Sequence, residues 1–362
     1  MSSLILKVIL IYGGKSVEHE ISLFSAASVL SNLNREKYEI IPVAIDKTGC
    51  FFVNDYNELL KFKDKLPVKT FKSKVLSSFM KNGNLFIDAD VVFPIIHGSF
   101  YEDGSLQGLL ELSGVAYVGS NVKSSSISMD KDLTRRIVCD NVIKCARYKV
   151  ISFRTNLRER VILCKKLISE LNFPLFVKPC SLGSSIGVKK VENFDQLIFA
   201  INNAFNYDEN VIIEEYIFGR EIEIAVLENR FSINPIVSVP GEIYVNHPDG
   251  FYSYSAKYLD TDHIRLCIPA NLNYKLIKKI QYFAKKIFVR LKCNGMARID
   301  FFITNKNEEI YFNEINTIPG FTKVSMYPKM WEMSGLCYTK LLDELIKLAI
   351  IKKNNSNRLI RS

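Results

Sequence analysis

Two short polar runs in the last third of the chain carry the clearest chemistry: Ala297-Arg298-Ile299-Asp300 and Asn313-Glu314-Ile315-Asn316. In a strand, alternate side chains share a face, so Arg298 lies with Asp300 and Glu314 with Asn316. Two such strands side by side gather two carboxylates and a side-chain amide. These are hard oxygen donors of the kind Mg²⁺ takes, with substrate phosphates helping to complete its octahedron. Two polar edge strands joined by a surface salt bridge would carry the same residues. The turn Thr317-Ile318-Pro319-Gly320, with Ser325 beyond it, favours a site over a plain edge.

Three further stretches bear on the same chemistry. In PLFVKPCSLGSSIGV, Lys178 ends an apolar strand and Gly183-Ser184-Ser185 forms a polar turn. Amides and hydroxyls of such a loop can fold over phosphates while the lysine supplies a fixed charge. An ordinary hairpin with a Gly-Ser turn fits as well. The extended segment Val211–Tyr216, followed by Gly219-Arg220-Glu221, can offer backbone to an adenine edge and an acid to ribose hydroxyls; a surface ion pair beside a turn is the plainer alternative. Lastly, VILIYGGKSVEHEIS (Val8–Ser22) imitates the end of a phosphate-binding P-loop, but the required early glycine is Ile9, inside a buried strand. What remains is strand, tight turn and helix, with Glu18 and Glu20 placed to complement the helix dipole. Lys15 and Ser16 are the least informative residues of that stretch.

The elements that must position these residues follow a β-α-β rhythm. Strands are expected at Val8–Tyr12, Glu39–Ile45 and Ala89–Ile96, with a helix from about Ser16 to Leu33. Val17, Ile21, Phe24, Ala27 and Leu30 recur at helical spacing and form its expected buried face. Such a rhythm points to a parallel sheet with its site beyond the carboxyl ends of the strands, where Gly13-Gly14 and His97-Gly98 lie. Residues 51–88 are lysine-rich and read as an insertion. The run SSSISMDKDLTRRIV is expected as one capped helix. Further strands are expected at Asn210–Tyr216, Glu221–Leu227 and Arg298–Thr304, a long loop at Gly241–Tyr258, and a helix at Tyr274–Leu291.

The chain of 362 residues, 48% of them apolar, is long enough for two or three domains with well-buried cores. No apolar run reaches membrane-span length, and the apolar start reads as a first strand, not a signal peptide. The eight cysteines include no C-x-x-C pair, and four histidines show no zinc spacing, which fits reduced thiols in the cytoplasm. A net charge of +10 raises the question of nucleic acid. Its lysines fall on helix faces and in the tail, without interleaved stacking aromatics, so solvated surfaces explain it and anionic substrates would benefit from the field.

Taken in order, MDK, VKPCSLGSSIGV, EEYIFGRE, ARID and NEINTIPG resemble the ATP-grasp superfamily, and within it the D-alanine–D-alanine ligases over nearly the whole chain. Ile11–Ser22 resembles that family's first substrate loop, His97–Gly108 its HGxxGEDG segment, Ser128–Lys131 its SMDK, Phe251–Tyr258 its mobile loop, and Asn313–Pro328 its C-terminal signature. The resemblance implies an α/β ATP-grasp fold of three domains. A Rossmann-like N-terminal domain at 1–120 precedes central and C-terminal subdomains at 121–214 and 215–362, with ATP between the latter two.

It also implies a two-step reaction: ATP phosphorylates the carboxylate of one D-alanine, and the amine of a second attacks the acyl phosphate. By motif position, Lys131 and Lys178 hold ATP phosphates; Glu214, Glu215, Tyr216 and Ile217 line the adenine hinge; and Glu221 takes the ribose. Asp300, Glu314 and Asn316 bind two Mg²⁺ (or Mn²⁺). Glu18 takes the ammonium of the first D-alanine and is linked through Ser184 to Tyr258. His97 lies beside the same substrate. Arg298 and the Gly320 amide stabilise the acyl phosphate and the tetrahedral intermediate, Lys257 reaches the transferred phosphate, and Ser325 with the backbone at Met326 takes the second carboxylate. D-Alanine is both donor and acceptor, the expected assembly is a homodimer, and neither nucleic acid nor membrane is a partner. Tyr258 favours an amine acceptor, because the related depsipeptide-forming ligases lack this tyrosine.

The sequence departs from the family pattern at Tyr101, which replaces a glycine, and at Ser253 and Ser255, where acids often stand. Cys180 takes the place of a small Ser or Ala, and is expected to make the phosphate loop sensitive to thiol reagents.

Overall fold

The computed structural model describes residues 5–76, 87–246 and 264–358, together with short paired strands at Met80–Lys81 and Asn84–Leu85. The first strand, Leu6–Gly13, lies in parallel between Tyr38–Ile45 and Val91–Ile95, and Val91–Ile95 pairs in parallel with Ala116–Tyr117. Apart from Lys7 and Glu39 near the strand starts, their apolar runs are what a parallel sheet covered on both faces requires. The lysine-rich region extends this sheet by antiparallel strands at Phe51–Val53 and Lys74–Val75. Tyr12 stands opposite Ile95, so the loops after both strands leave from one sheet edge.

A second, four-stranded antiparallel sheet combines Tyr148–Ser152, Asn210–Glu215, Leu175–Pro179 and Lys189–Val191. The third is built around Gly219–Leu227, Met296–Thr304 and Ile310–Asn316. Lys144–Cys145 pairs with the last of these, so the stretch before the central sheet already contributes to the third one. The helix Tyr274–Arg290 buries Leu276, Ile280, Phe283, Ala284 and Ile287 against it. The N-terminal sheet shares one core with the end of the chain: Leu10, Tyr12 and Phe93 pack in a single cluster with Phe321, Tyr327, Leu341 and Leu345. Among the described residues no helix is long and apolar enough to cross a membrane.

Three local expectations are corrected. The first helix spans His19–Asn32, and its expected apolar face is wrong in two places: Val17 is 60% and Phe24 39% exposed. Small residues win the interior instead. Ser22, Ser25, Ala26 and Ser28 are buried because the helix lies between the sheet and the C-terminal helix Tyr338–Asn357. Ser22 accepts the Gly13 N–H at 2.7 Å and donates to the Ile95 carbonyl, spanning both strand ends. Such close approach excludes large side chains. Gly241–Val245 is a strand, not the start of a loop.

The third correction concerns SSSISMDKDLTRRIV, which forms two helices, Val122–Met129 and Lys131–Val138. Asp130 breaks the run by adopting an extended backbone and accepting the N–H groups of Asp132 and Leu133, each at 2.9 Å. An aspartate can satisfy a helix start this way, and the break sets Lys131 at the head of a new helix. Asp130→Ala should lower the unfolding free energy by about 1 kcal/mol and Asp130→Asn by much less, measured by urea denaturation.

Candidate active site

Between the central and third sheets lies a cavity of about 410 Å³ whose lining includes Lys131, Lys178, Glu214, Tyr216, Ile217 and Glu221. Aromatic rings supply its apolar wall, with Phe176 and Tyr216 at 5.6 Å and Tyr216 and Phe218 at 6.1 Å between centroids. Glu215 turns its carboxylate outward to Arg147, at 2.9 Å to the backbone N–H and 2.8 Å to Nε, so its contribution to the lining is largely main chain.

Glu214 does something different. Its buried carboxylate sits 2.5 Å from Arg135 and 2.5 Å from the Lys178 ammonium. Burial alone would raise its pKa, but the two cations outweigh this and hold it down to about 2. The Arg135 side chain is only 1% exposed. Lys131 reaches the Leu182 carbonyl at 2.6 Å and stands 3.7 Å from Glu314, while its own N–H meets the Cys180 carbonyl at 3.0 Å. Burial, with Lys178 and Arg135 nearby, lowers its pKa despite the pull of Glu314.

The loop between the hairpin strands 175–179 and 189–191 holds Ser184 and Ser185 at φ values of 50° and 57°. Left-handed backbone at non-glycine residues costs about 1 kcal/mol or more each and persists where surrounding contacts impose it. Here the Ser184 hydroxyl donates to the Glu18 carboxylate. Thus the phosphate-type loop of the central sheet is tied directly to the first strand's loop.

A second cavity, of about 460 Å³, adjoins this contact and is lined by Glu18, His97, Ser184, Arg298, Gly320 and Ser325, among others. His97 is buried, with Nδ1 3.1 Å from the Ile318 carbonyl. Burial opposes its charge, but Glu102 and Glu18 prevail and raise its pKa above the ordinary value. Arg298 donates to both oxygens of Asp300, at 2.8 and 2.7 Å, and lies 3.2 Å from Glu223. Asp300 pairs across the strands with Glu314, and Arg298 with Asn316. Asn316 also donates to Asp300 at 3.2 Å. Ser325 precedes the helix Met326–Met333 and bonds locally to Thr322, beside Gly320. The first turn of that helix offers N–H groups suited to a carboxylate. Glu314 lines both cavities.

Among the described residues, no three acidic, histidine or cysteine side chains gather as a ready cation cage. Two carboxylates with the Asn316 amide oxygen nevertheless fit a hard cation that takes its other ligands from phosphate and water. Lys257 and Tyr258, with Ser253 and Ser255, lie outside the described residues. Sequence reasoning missed Arg135, Glu223 and Glu102. Glu223 follows Glu221 on the same strand face, and Glu102 is the glutamate of the HGxxGEDG segment, so both had a usable signal; Arg135 gave none, since it acts through Glu214 on a different element. It also undervalued Ser16, whose hydroxyl donates to the His97 carbonyl at 2.5 Å and accepts the Glu18 N–H at 3.2 Å. The expected reactivity of Cys180 is corrected. The residue is 1% exposed, and burial pushes its thiol up to about 12, so little thiolate is present to react.

Family models for the N-terminus and the C-terminus of D-ala D-ala ligase match residues 7–120 and 137–347. A D-alanine–D-alanine ligase of Legionella pneumophila (strain Lens) is 57% identical over 354 residues, covering 98% of this chain and 97% of the relative. The solved D-alanine–D-alanine ligase of Coxiella burnetii superposes with a TM-score of 0.81 at 36% identity, covering 99% of this chain and 97% of that one. The VanG D-Ala:D-Ser ligase of Enterococcus faecalis gives a TM-score of 0.79 at 34% identity, over 95% of this chain and 99% of its own.

Two measurements check this geometry. A native thiol-reagent titration should label exposed Cys50 and Cys337 and leave Cys180 unmodified. Glu214→Gln should cost roughly 3 kcal/mol at neutral pH, because it leaves buried cations without their partner. The depressed pKa makes Glu214's contribution full above its unfolded value near 4.5, and lost as pH falls through about 2. The gap between variant and wild type in urea midpoint should therefore narrow only below about pH 4.5.

Proposed function

The chain belongs to the D-alanine–D-alanine ligase family, and on that premise we propose how its two cavities divide the reaction. The protein is an ATP-dependent ligase that joins two D-alanines into the dipeptide used for peptidoglycan, releasing ADP and phosphate. The reading that the first cavity takes ATP and the second takes the amino acids is supported best by Glu314, which lines both. A phosphate entering from one side and a carboxylate from the other meet beside it.

In this reading Tyr216 and Ile217 border the adenine, Glu221 accepts from the ribose, and Lys131 and Lys178 take the phosphates. Glu214 acts beneath Lys178, fixing the ammonium that the phosphates meet. Asp300, Glu314 and Asn316 would hold two Mg²⁺ or Mn²⁺, which when bound neutralise phosphate charge and align the γ-phosphate for in-line transfer. Glu18 holds the ammonium of the first D-alanine, with His97 beside it. That amino acid's carboxylate oxygen attacks the γ-phosphorus, ADP departs, and Arg298 with the Gly320 amide faces the growing negative charge. Ser325 and the N–H at Met326 orient the carboxylate of the second D-alanine. Its free amine attacks the acyl carbon, and phosphate leaves as the peptide bond forms. Lys257 and Tyr258 are assigned to closure over the acyl phosphate, which must be kept from water.

Two further readings accompany this one: the enzyme works as a homodimer, for which sedimentation velocity should give twice the 41.4 kDa chain mass, and it works in the cytoplasm. The direct test is phosphate release dependent on D-alanine and ATP, expected to be strong with D-alanine as acceptor and much weaker with D-serine or D-lactate. Glu18→Gln removes a charged hydrogen-bond partner and should raise KM for the donor D-alanine roughly 10- to 100-fold, while the ATP constant stays within about twofold. Collapse of ATP binding instead would sink the assignment of Glu18.

A further inference from the structure

Tyr101 stands where the family motif has glycine, and its surroundings give it a task. The side chain is 7% exposed and packs in a cluster with Ile9, Ile11, Ile96 and Leu106. Its ring presses on Gly14, where a Cβ would come within 2.7 Å of Cε2. Its hydroxyl accepts the Lys15 N–H at 3.1 Å, and its carbonyl is held by Gln107 Nε2 at 2.8 Å. The preceding Phe100 takes a left-handed φ of 72° with its ring exposed, and its N–H is caught by Asp103 at 2.7 Å. A bulky residue reaches that backbone region only under constraint. Here Tyr101 holds the loop from inside and Asp103 from outside.

The constraint runs on to Glu18. The turn that carries Glu18 is fastened to the loop after the neighbouring strand at Lys15 through Tyr101, and at Ser16 through the His97 carbonyl. Ser16 in turn accepts the Glu18 N–H at 3.2 Å. Gly13 and Gly14, both at positive φ, are held by their own bonds, Gly13 N–H to Ser22, Gly14 N–H to the Ile45 carbonyl at 2.8 Å and the Gly14 carbonyl to His19 Nδ1 at 2.6 Å, so the bonds at Lys15 and Ser16 restrain the stretch between the glycines and Glu18. We propose that Tyr101 is a positioning residue, whose phenol fixes the Gly14–Ser16 turn and so places Glu18 for the donor ammonium. This rests on the reading that Glu18 binds that ammonium.

Tyr101→Phe keeps the ring and removes only the acceptor. In full-length enzyme it should raise the donor D-alanine KM about 3- to 10-fold, the scale of one partly buried hydrogen bond, with the ATP and acceptor constants within about twofold. Tyr101→Gly restores the motif glycine but empties the space over Gly14, and should raise the donor KM further and lower Tm. In a Glu18→Gln background Tyr101→Phe should add less than about twofold, because it acts through that carboxylate. An unchanged donor KM in Tyr101→Phe, an equal rise in the ATP constant, or full additivity with Glu18→Gln overturns the proposal. Should Glu18→Gln itself spare the donor KM, the reading of Glu18 fails; should it raise KM while Tyr101→Phe is silent, only the brace fails.

Discussion

Cations able to hold phosphate have to be kept next to one another inside a folded protein, and much of this cleft is arranged around that requirement. Lys131, Arg135, Lys178 and Arg298 converge on it, and each is answered by a carboxylate: Glu314, Glu214 or Asp300 with Glu223. A buried charge without its partner costs several kcal/mol, so these acids support the fold as well as the site. They also sew elements together. Arg135 on its helix meets Glu214 on the central sheet, and Lys131 meets Glu314 on the third. The residues of both pairs also line the cavity that lies between those sheets.

A second constraint fixes the amino-acid pocket. One wall comes from loops at the carboxyl edge of the N-terminal sheet, the other from the segment after Asn316, more than two hundred residues away. Their relative placement depends on the apolar core they share, where Phe93 meets Phe321 edge-on at 6.2 Å. Polar contacts add register to that packing. Tyr338 donates to the Phe321 carbonyl at 2.8 Å and accepts from Ser28 at 3.2 Å, while Asp343 receives Tyr38 at 2.9 Å and Lys37 at 2.5 Å. Hydrophobic burial brings the walls together, and directional bonds decide where each residue stops.

Much of this was legible in the chain. The apolar runs announced the parallel centre of the first sheet, and alternation in Arg298–Asp300 and Glu314–Asn316 foretold a shared face, which the strand register provides. Errors clustered where tertiary context overrules local pattern. The first helix hides serines and exposes Val17 because it is enclosed on two sides, a circumstance its own periodicity does not record. Asp130 was absorbed into a continuous helix, although aspartate is a good cap, because propensity alone does not say which acid will turn inward. Cys180 looked reactive by position, yet burial suppresses its thiolate.

The sequence by itself determined which groups the protein possesses and their order: the acids and amide of the late strands, the lysine before a Gly-Ser loop, and Glu18 after a double glycine. Chemistry of that kind depends on residue type and on spacings of two or four, which survive in one dimension. Only the tertiary structure decided what each group touches. Glu214 beneath Lys178 and Arg135, Ser184 against Glu18, and Tyr101 under the Gly14–Ser16 turn are contacts across 36 to 166 positions. No local pattern encodes such pairs, because packing of whole sheets sets them, and the energy of a charge or hydrogen bond depends on its partner and its burial.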